Sequence, residues 1–176
     1  MTDSGKIVMY SALGILSGVA LFAIFYKRKE IIEKTEEIAE GILNWIQPIS
    51  GKLTSPFGNR IHPVTGKLSF HNGIDISAPN GTPIKAPISG IVAKLWSDNR
   101  SGNALNIQHG ENLISGYAHL SKFNVKQGDS VKKGDVIGYV GNTGMSTGNH
   151  LHFVVKVKNK QGVWDYVNPI NYLKAA

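Results

Sequence analysis

Two short stretches hold residues whose types and spacing suit metal chemistry: His71-Asn-Gly-Ile-Asp75 and His150-Leu-His152. Alternate residues of a strand point to one face, so an H-x-H opening the run LHFVVKV (151–157) projects two imidazoles side by side. That arrangement suits a ligand and an adjacent acid/base. In the first stretch, Ile74 and Ile76 would face a core while Asp75 points the other way, and the Asn-Gly step reads as a turn swinging His71 toward the same site. An aspartate between two inward-facing isoleucines is costly unless something cationic compensates it. Together the stretches supply three N/O ligands and leave a fourth position for water, the pattern of a catalytic rather than a structural zinc. Spacing does not say which of His150 and His152 is the ligand. The chain has no cysteine, which excludes disulfides and thiolate zinc sites.

The elements that must carry these residues lie after Pro48, where sixteen of the twenty glycines fall. Runs such as GIVAKLW (90–96), NALNIQH (103–109), DVIGYVG (135–141) and LHFVVKV (151–157) are short and β-rich, separated by turn residues. No helix-period pattern of useful length interrupts them. The expectation for 48–176 is therefore an all-β domain of packed antiparallel sheets. Gly73, Gly144 and Gly148, near the candidate residues, are expected to let an extended substrate strand approach closely.

The first 47 residues differ in character. Residues 1–6 form a short tail, and residues 7–26, IVMYSALGILSGVALFAIFY, carry no charge and are long enough to cross the ~30 Å hydrocarbon core as a helix. A retained single-pass anchor is expected in preference to a cleaved signal peptide, because Lys27, Arg28 and Lys29 follow the apolar run rather than precede it. Gly14 and Gly18 form a G-x-x-x-G pair through which two such helices could self-associate. Residues 27–47 place Ile31, Ile38, Ile42, Trp45 and Ile46 near one helical face, the pattern of an amphipathic stalk helix ending at Pro48. Through Gln47 there are five Lys/Arg against six Asp/Glu, and beyond it fourteen against six, within totals of 19 and 12. The basic surplus thus belongs to the strand-rich domain and favours an anionic partner.

From Leu53 to Leu173 the chain resembles the lysostaphin and LytM type of zinc endopeptidases. The matching runs are TSPFGNRIHPVTG (54–66), HNGIDISAPNGTPIKAPISGIV (71–92), YAHLS (117–121), VKKGDVIGYVGNTGMSTGNHLHF (131–153) and VNPINYL (167–173). The resemblance implies a lysostaphin-like domain of barrel-sandwich type, one Zn2+ per chain held by His71, Asp75 and His152, and two non-ligand catalytic histidines, His119 and His150. It implies a peptidoglycan hydrolase, an endopeptidase that cuts the peptide cross-links of the cell wall, with the peptide stems and no nucleic acid as partner. Many relatives have a glutamate where this sequence has Val154, and the tyrosine some place shortly before the first ligand histidine has no counterpart in PVTGKLSF (63–70). His62 and His109 are read as structural or surface residues.

Two other readings compete. A non-catalytic wall-binding or activator module of the same fold would have lost one of the five residues, and none is lost. A biotin- or lipoyl-carrier domain is suggested by VKQGDSVKKGDVIGYVG (125–141), but no modifiable lysine sits in a recognisable context there. Orientation is the unresolved point, since Lys27–Lys29 predict a cytoplasmic C-terminal domain and a wall hydrolase must act on the other side. Either the anchor runs N-in, C-out in a bacterial inner membrane, or the protein sits in the internal membrane of a lipid-containing virion as a lysin used to get into or out of a host.

Overall fold

The structure, a computed structural model, describes residues 25–29, 45–61 and 66–173. Residues 25–29 are helical and exposed, and among the described residues no helix is long and apolar enough to cross a membrane. The remainder of the expected anchor, with Gly14 and Gly18, the stalk residues 30–44 and His62 lie outside the described residues.

The strands belong to a unit spanning Leu43–Ala176. A ten-stranded antiparallel sheet follows the path β1 (Lys52–Ser55), β4 (Ile74–Ser77), β11 (His150–Lys158), β8 (Leu113–Phe123), β7 (Gly102–Gln108), β6 (Gly90–Asp98) and β9 (Ser130–Val131). Off this path, β10 (Val136–Val140) pairs with β8 and β5 (Pro83–Lys85), and β12 (Trp164–Val167) pairs with β11. A separate hairpin joins β2 (Gly58–Ile61) to β3 (Leu68–His71). This is the all-β architecture of packed antiparallel sheets expected from the period-2 runs.

Alternation decides which side chains reach the site. In β11, Leu151, Phe153 and Val155 are fully buried, while His150 and His152 occupy the opposite face. In β4, Ile74 and Ile76 join the same core with Asp75 turned away between them. Burying each large apolar side chain is worth roughly 1.5–3 kcal/mol, so a one-residue slip of β11 would forfeit several such terms and drive both histidines inward. That penalty holds Asp75 opposite His152 across the β4–β11 ladder.

β8 is interrupted where the chemistry needs it to be. Against β7, Leu105 pairs with Tyr117 and Asn103 with Leu120, so two steps on one strand answer three on the other. The surplus falls at Ala118–His119. His119 takes φ +64, the one positive φ outside glycine among the described residues, and its amide donates to the Ser101 carbonyl at 2.9 Å. A bulge of this kind re-aims a side chain that regular pleating would send elsewhere.

Two expectations are corrected or explained by packing. Trp45 is not at the end of a helix: it is fully buried, forms a parallel bridge to Leu173, and packs edge-on to His109 at 5.3 Å and Phe153 at 6.3 Å. Its place in the helical-looking period of 27–47 reflects burial against the strands rather than a helical stripe. The carrier-like run 125–141 consists of two K-x-G-D turns leading into β9 and β10. In them Asp129 Oδ2 accepts from the Lys126 amide at 2.7 Å and Asp135 Oδ2 from the Lys132 amide at 2.8 Å, with Gly128 at φ +90 and Gly134 at φ +92.

His109 belongs to a buried polar chain. Its Nδ1 donates to the Ser89 carbonyl at 2.8 Å, since a carbonyl only accepts. Burial lowers its pKa, partly offset by that carbonyl, so the ring is neutral and its Nε2 accepts from Ser115 Oγ at 2.8 Å. Ser115 Oγ must then accept from the Tyr117 hydroxyl, also at 2.8 Å.

Candidate active site

The five residues singled out in the sequence converge on one cleft. His71 closes β3, the Asn72–Gly73 step follows, and Asp75 lies in β4 beside His152 of β11. Asp75 Oδ1 is 3.2 Å from His71 Nε2 and 2.8 Å from His152 Nδ1, and the two nitrogens are 3.1 Å apart. Ligand atoms at about 2.0–2.1 Å from a tetrahedral zinc are about 3.4 Å from one another. The triangle is therefore close to the size a shared ion requires.

Proton placement tests the fit independently. His71 Nδ1 lies 2.8 Å from the Pro56 carbonyl and must donate to it. With that proton on Nδ1, the neutral tautomer would turn its Nε2 lone pair toward Asp75 Oδ1, itself an acceptor. Two acceptors at this distance repel unless a proton or a cation lies between them. With its proton on Nε2, His152 adds a third lone pair at Nδ1, and the donor set of two imidazoles and one carboxylate suits zinc.

Without an ion, a proton on the facing imidazoles takes the place of the cation. Burial alone would raise the Asp75 pKa, but the hydrogen bonds and charge that His152 and His71 then supply outweigh it and hold the carboxyl well below the usual range. Its second oxygen faces Arg60 Nη2 at 3.4 Å. Burial lowers the His152 pKa despite the opposing pull of Asp75, leaving the ring in its ligand form.

His119 and His150 stand beside this triangle with ring centroids 4.7 Å apart. Each is fixed by a main-chain carbonyl: His119 Nδ1 donates to Thr143 O and His150 Nδ1 to Gly148 O, both at 2.8 Å. Both rings thus keep Nε2 available, and His150 Nε2 lies 3.7 Å from Asp75 Oδ1. Burial, reinforced by the neighbouring His150 and His152, pushes the His119 pKa down to about 4 against the raising effects of Thr143 O and Asp75.

The cleft encloses about 350 Å³, and beyond the five residues it is lined by Arg60, Arg100, Met145, Ser146 and Tyr166 among others. Arg60 lies within the run 54–66 that carried the resemblance, yet nothing in the sequence places its guanidinium on Asp75. Tyr166 of β12 also lines the cleft, far in sequence from the 63–70 segment where a tyrosine was sought. A larger, mostly apolar groove of about 720 Å³, lined by Ile49, Leu53, Ile74 and Ile76, contains none of the five residues.

The glycines serve packing more than substrate approach. A Cβ on Gly73 would lie 2.4 Å from the Phe153 carbonyl oxygen and 2.9 Å from His152 Cε1, so that space is filled by β11. Gly144, at φ +73, is pressed against the backbone of Gly102. Only Gly148 of the three faces open space.

A curled antiparallel sheet that brings His, Asp and His together beside two carbonyl-locked histidines is the framework of a metallopeptidase domain. The chain belongs to Peptidase family M23, whose model matches residues 69–166. It is 40% identical over 131 residues to the peptidoglycan DD-endopeptidase ShyA of Vibrio cholerae, covering 73% of this chain and 29% of that protein. Among solved structures, a zinc containing peptidase from Vibrio cholerae aligns with a TM-score of 0.65 at 36% identity, over 76% of this chain and 40% of the other. The catalytic domain of the antimicrobial peptidase lysostaphin from Staphylococcus simulans gives 0.61 at 34% identity, over 68% of this chain and 90% of that one. The chain spans less than a third of the length of the first curated relatives it matches.

Proposed function

We propose that this protein is a zinc-dependent endopeptidase that hydrolyses the peptide cross-links of bacterial peptidoglycan, held to a bilayer through residues 7–26. The observation that carries the reading is the triangle of His71 Nε2, Asp75 Oδ1 and His152 Nδ1, whose sides are 3.2, 2.8 and 3.1 Å. His71, Asp75 and His152 would hold the ion. Zinc bound there would lower the pKa of a water toward ~7 and polarise the scissile carbonyl.

The remaining work falls to two histidines. His119, kept neutral by burial, offers its Nε2 as an acceptor that orients the attacking water. His150, its Nδ1 fixed by the Gly148 carbonyl and its Nε2 3.7 Å from Asp75 Oδ1, is placed to take the water proton and pass it to the leaving amine. Arg60 occupies the outer oxygen of Asp75 and fixes the direction of the inner one. No protein nucleophile is needed.

The test is digestion of purified sacculi by the full chain, with mass spectrometry of the released muropeptides, chelation and zinc add-back. New amino termini that vanish with chelator and return with zinc are expected. Intact cross-links with zinc-loaded protein would overturn the proposal. For orientation two arrangements stand: an inner-membrane anchor running N-in, C-out, and the internal membrane of a lipid-containing virion. Prompt digestion of the domain by protease added outside intact cells would exclude the virion orientation.

A further inference from the structure

The charges around the cleft do not cancel. Its lining carries three charged side chains besides the histidines: Asp75, Arg60 and Arg100. Arg60 is paired with Asp75. Arg100 is exposed, and its guanidinium has no ion-pair or hydrogen-bond partner among the described residues. The nearest acid in sequence, Asp98, does not neutralise it. Asp98 Oδ1 accepts from the Arg100 and Ser101 amides, at 2.8 and 2.5 Å, and Oδ2 from Trp96 Nε1 at 2.9 Å.

Arg100 is also firmly placed. Its carbonyl accepts from the Met145 amide at 3.0 Å, and the next carbonyl, of Ser101, accepts from the His119 amide at 2.9 Å. Gly102 and Gly144 meet backbone to backbone behind it. The β6–β7 turn is therefore tied both to the Met145 loop and to His119, and it carries a cleft-lining residue whose guanidinium is uncompensated. A divalent ion at His71, Asp75 and His152 would add to this positive excess, so an anionic group on the substrate is favoured near the bond being cut.

We infer that Arg100 is a specificity residue that pairs with a free carboxylate on the amine side of the scissile bond. This rests on the endopeptidase reading and deepens it. In a D-alanyl-diaminopimelate cross-link, the carbon bonded to the scissile nitrogen bears such a carboxylate. A cross-link through a lysine side chain or a glycine bridge has none there. A guanidinium recognises a carboxylate in a planar two-point contact that a carboxamide cannot reproduce.

The full-length zinc-loaded protein is assayed on two soluble cross-linked peptides that differ only in this group, carboxylate or carboxamide. The expected result is a preference for the carboxylate of about tenfold in kcat/KM, the scale of one charge-assisted hydrogen bond at a solvent-accessible site. Arg100→Gln should erase the preference by slowing only the carboxylate substrate, and Arg100→Lys should restore part of it. Equal wild-type cleavage of both peptides, or equal slowing of both by Arg100→Gln, overturns the role. Wild-type protein that cuts sacculi yet shows no preference sinks this inference alone, whereas protein that cuts neither sacculi nor peptides sinks the endopeptidase reading with it.

Discussion

His119 donates through Nδ1 to the carbonyl of Thr143 at 2.8 Å while its own backbone sits at φ +64. The bulge turns the imidazole toward the cleft and the carbonyl selects its tautomer. Neither feature involves the metal triangle. His119 and His150 are therefore separable from the three ligands by experiment.

His71→Ala, Asp75→Ala and His152→Ala are expected to lose both zinc and hydrolysis. His119→Ala and His150→Ala should retain near-stoichiometric zinc while losing about 10²–10⁴-fold in rate, the usual worth of a general acid or base. Elemental analysis beside muropeptide release reads both quantities. Zinc lost from His150→Ala but kept by His152→Ala would reverse the assignment on β11.

Gly73→Ala places a methyl against the Phe153 carbonyl and the His152 ring. Overpacking of this kind costs roughly 1–3 kcal/mol, and here the strand that must yield carries a ligand. Both the urea midpoint and zinc retention should fall together. A variant as stable as wild type and fully loaded would show that β11 can move without cost.

In the His109–Ser115–Tyr117 chain, the donor directions predict unequal losses. Tyr117→Phe removes one hydrogen bond, about 1 kcal/mol. Ser115→Ala strands both His109 Nε2 and the Tyr117 hydroxyl inside the core and should cost roughly 2–4 kcal/mol. Urea denaturation gives the order, and the reverse order would contradict the inferred proton positions. Hydrolysis per folded molecule should not change, because none of the three lines the cleft.

Burial lowers the pKa of His109, His119 and His152 below the ordinary 6.5. The unfolded chain then takes up protons that the folded domain refuses, so stability falls as pH drops through 6.5 toward 4. Asp75, held below its usual 3.8, adds a contribution present above that value and lost as pH falls further. Zinc-stripped protein should melt at a lower temperature at pH 5 than at pH 7.5, and His109→Gln should flatten that difference. Identical melting of the wild type at the two pH values would contradict the burial of these rings.

The strands of the site were legible because apolar residues alternate along β4 and β11, and the same alternation placed Asp75 and His152 on a shared face. The residues His71, Asp75, His119, His150 and His152 were legible from ordered motifs. What the chain order hid is non-local. His119 leaves regular pleating where the register of β7 against β8 shifts across it. Trp45 read as part of a helical stripe because burial against Phe153, more than a hundred residues away, leaves no local trace. Arg60 meets Asp75 only after the β2–β3 hairpin folds over β4, and Gly73 is small for β11 rather than for a substrate.

The carbonyls that hold His71, His119 and His150 belong to Pro56, Thr143 and Gly148, and a carbonyl survives any amino-acid replacement. The chemical state of each ring is consequently insulated from drift in the side chains of those loops, provided the loop path is kept. Residues such as Arg100 and Met145, which share the cleft but lend only backbone atoms to its frame, are then free to vary. A scaffold of this kind can acquire a new cross-link preference by changing its walls while the proton inventory at its centre is inherited intact.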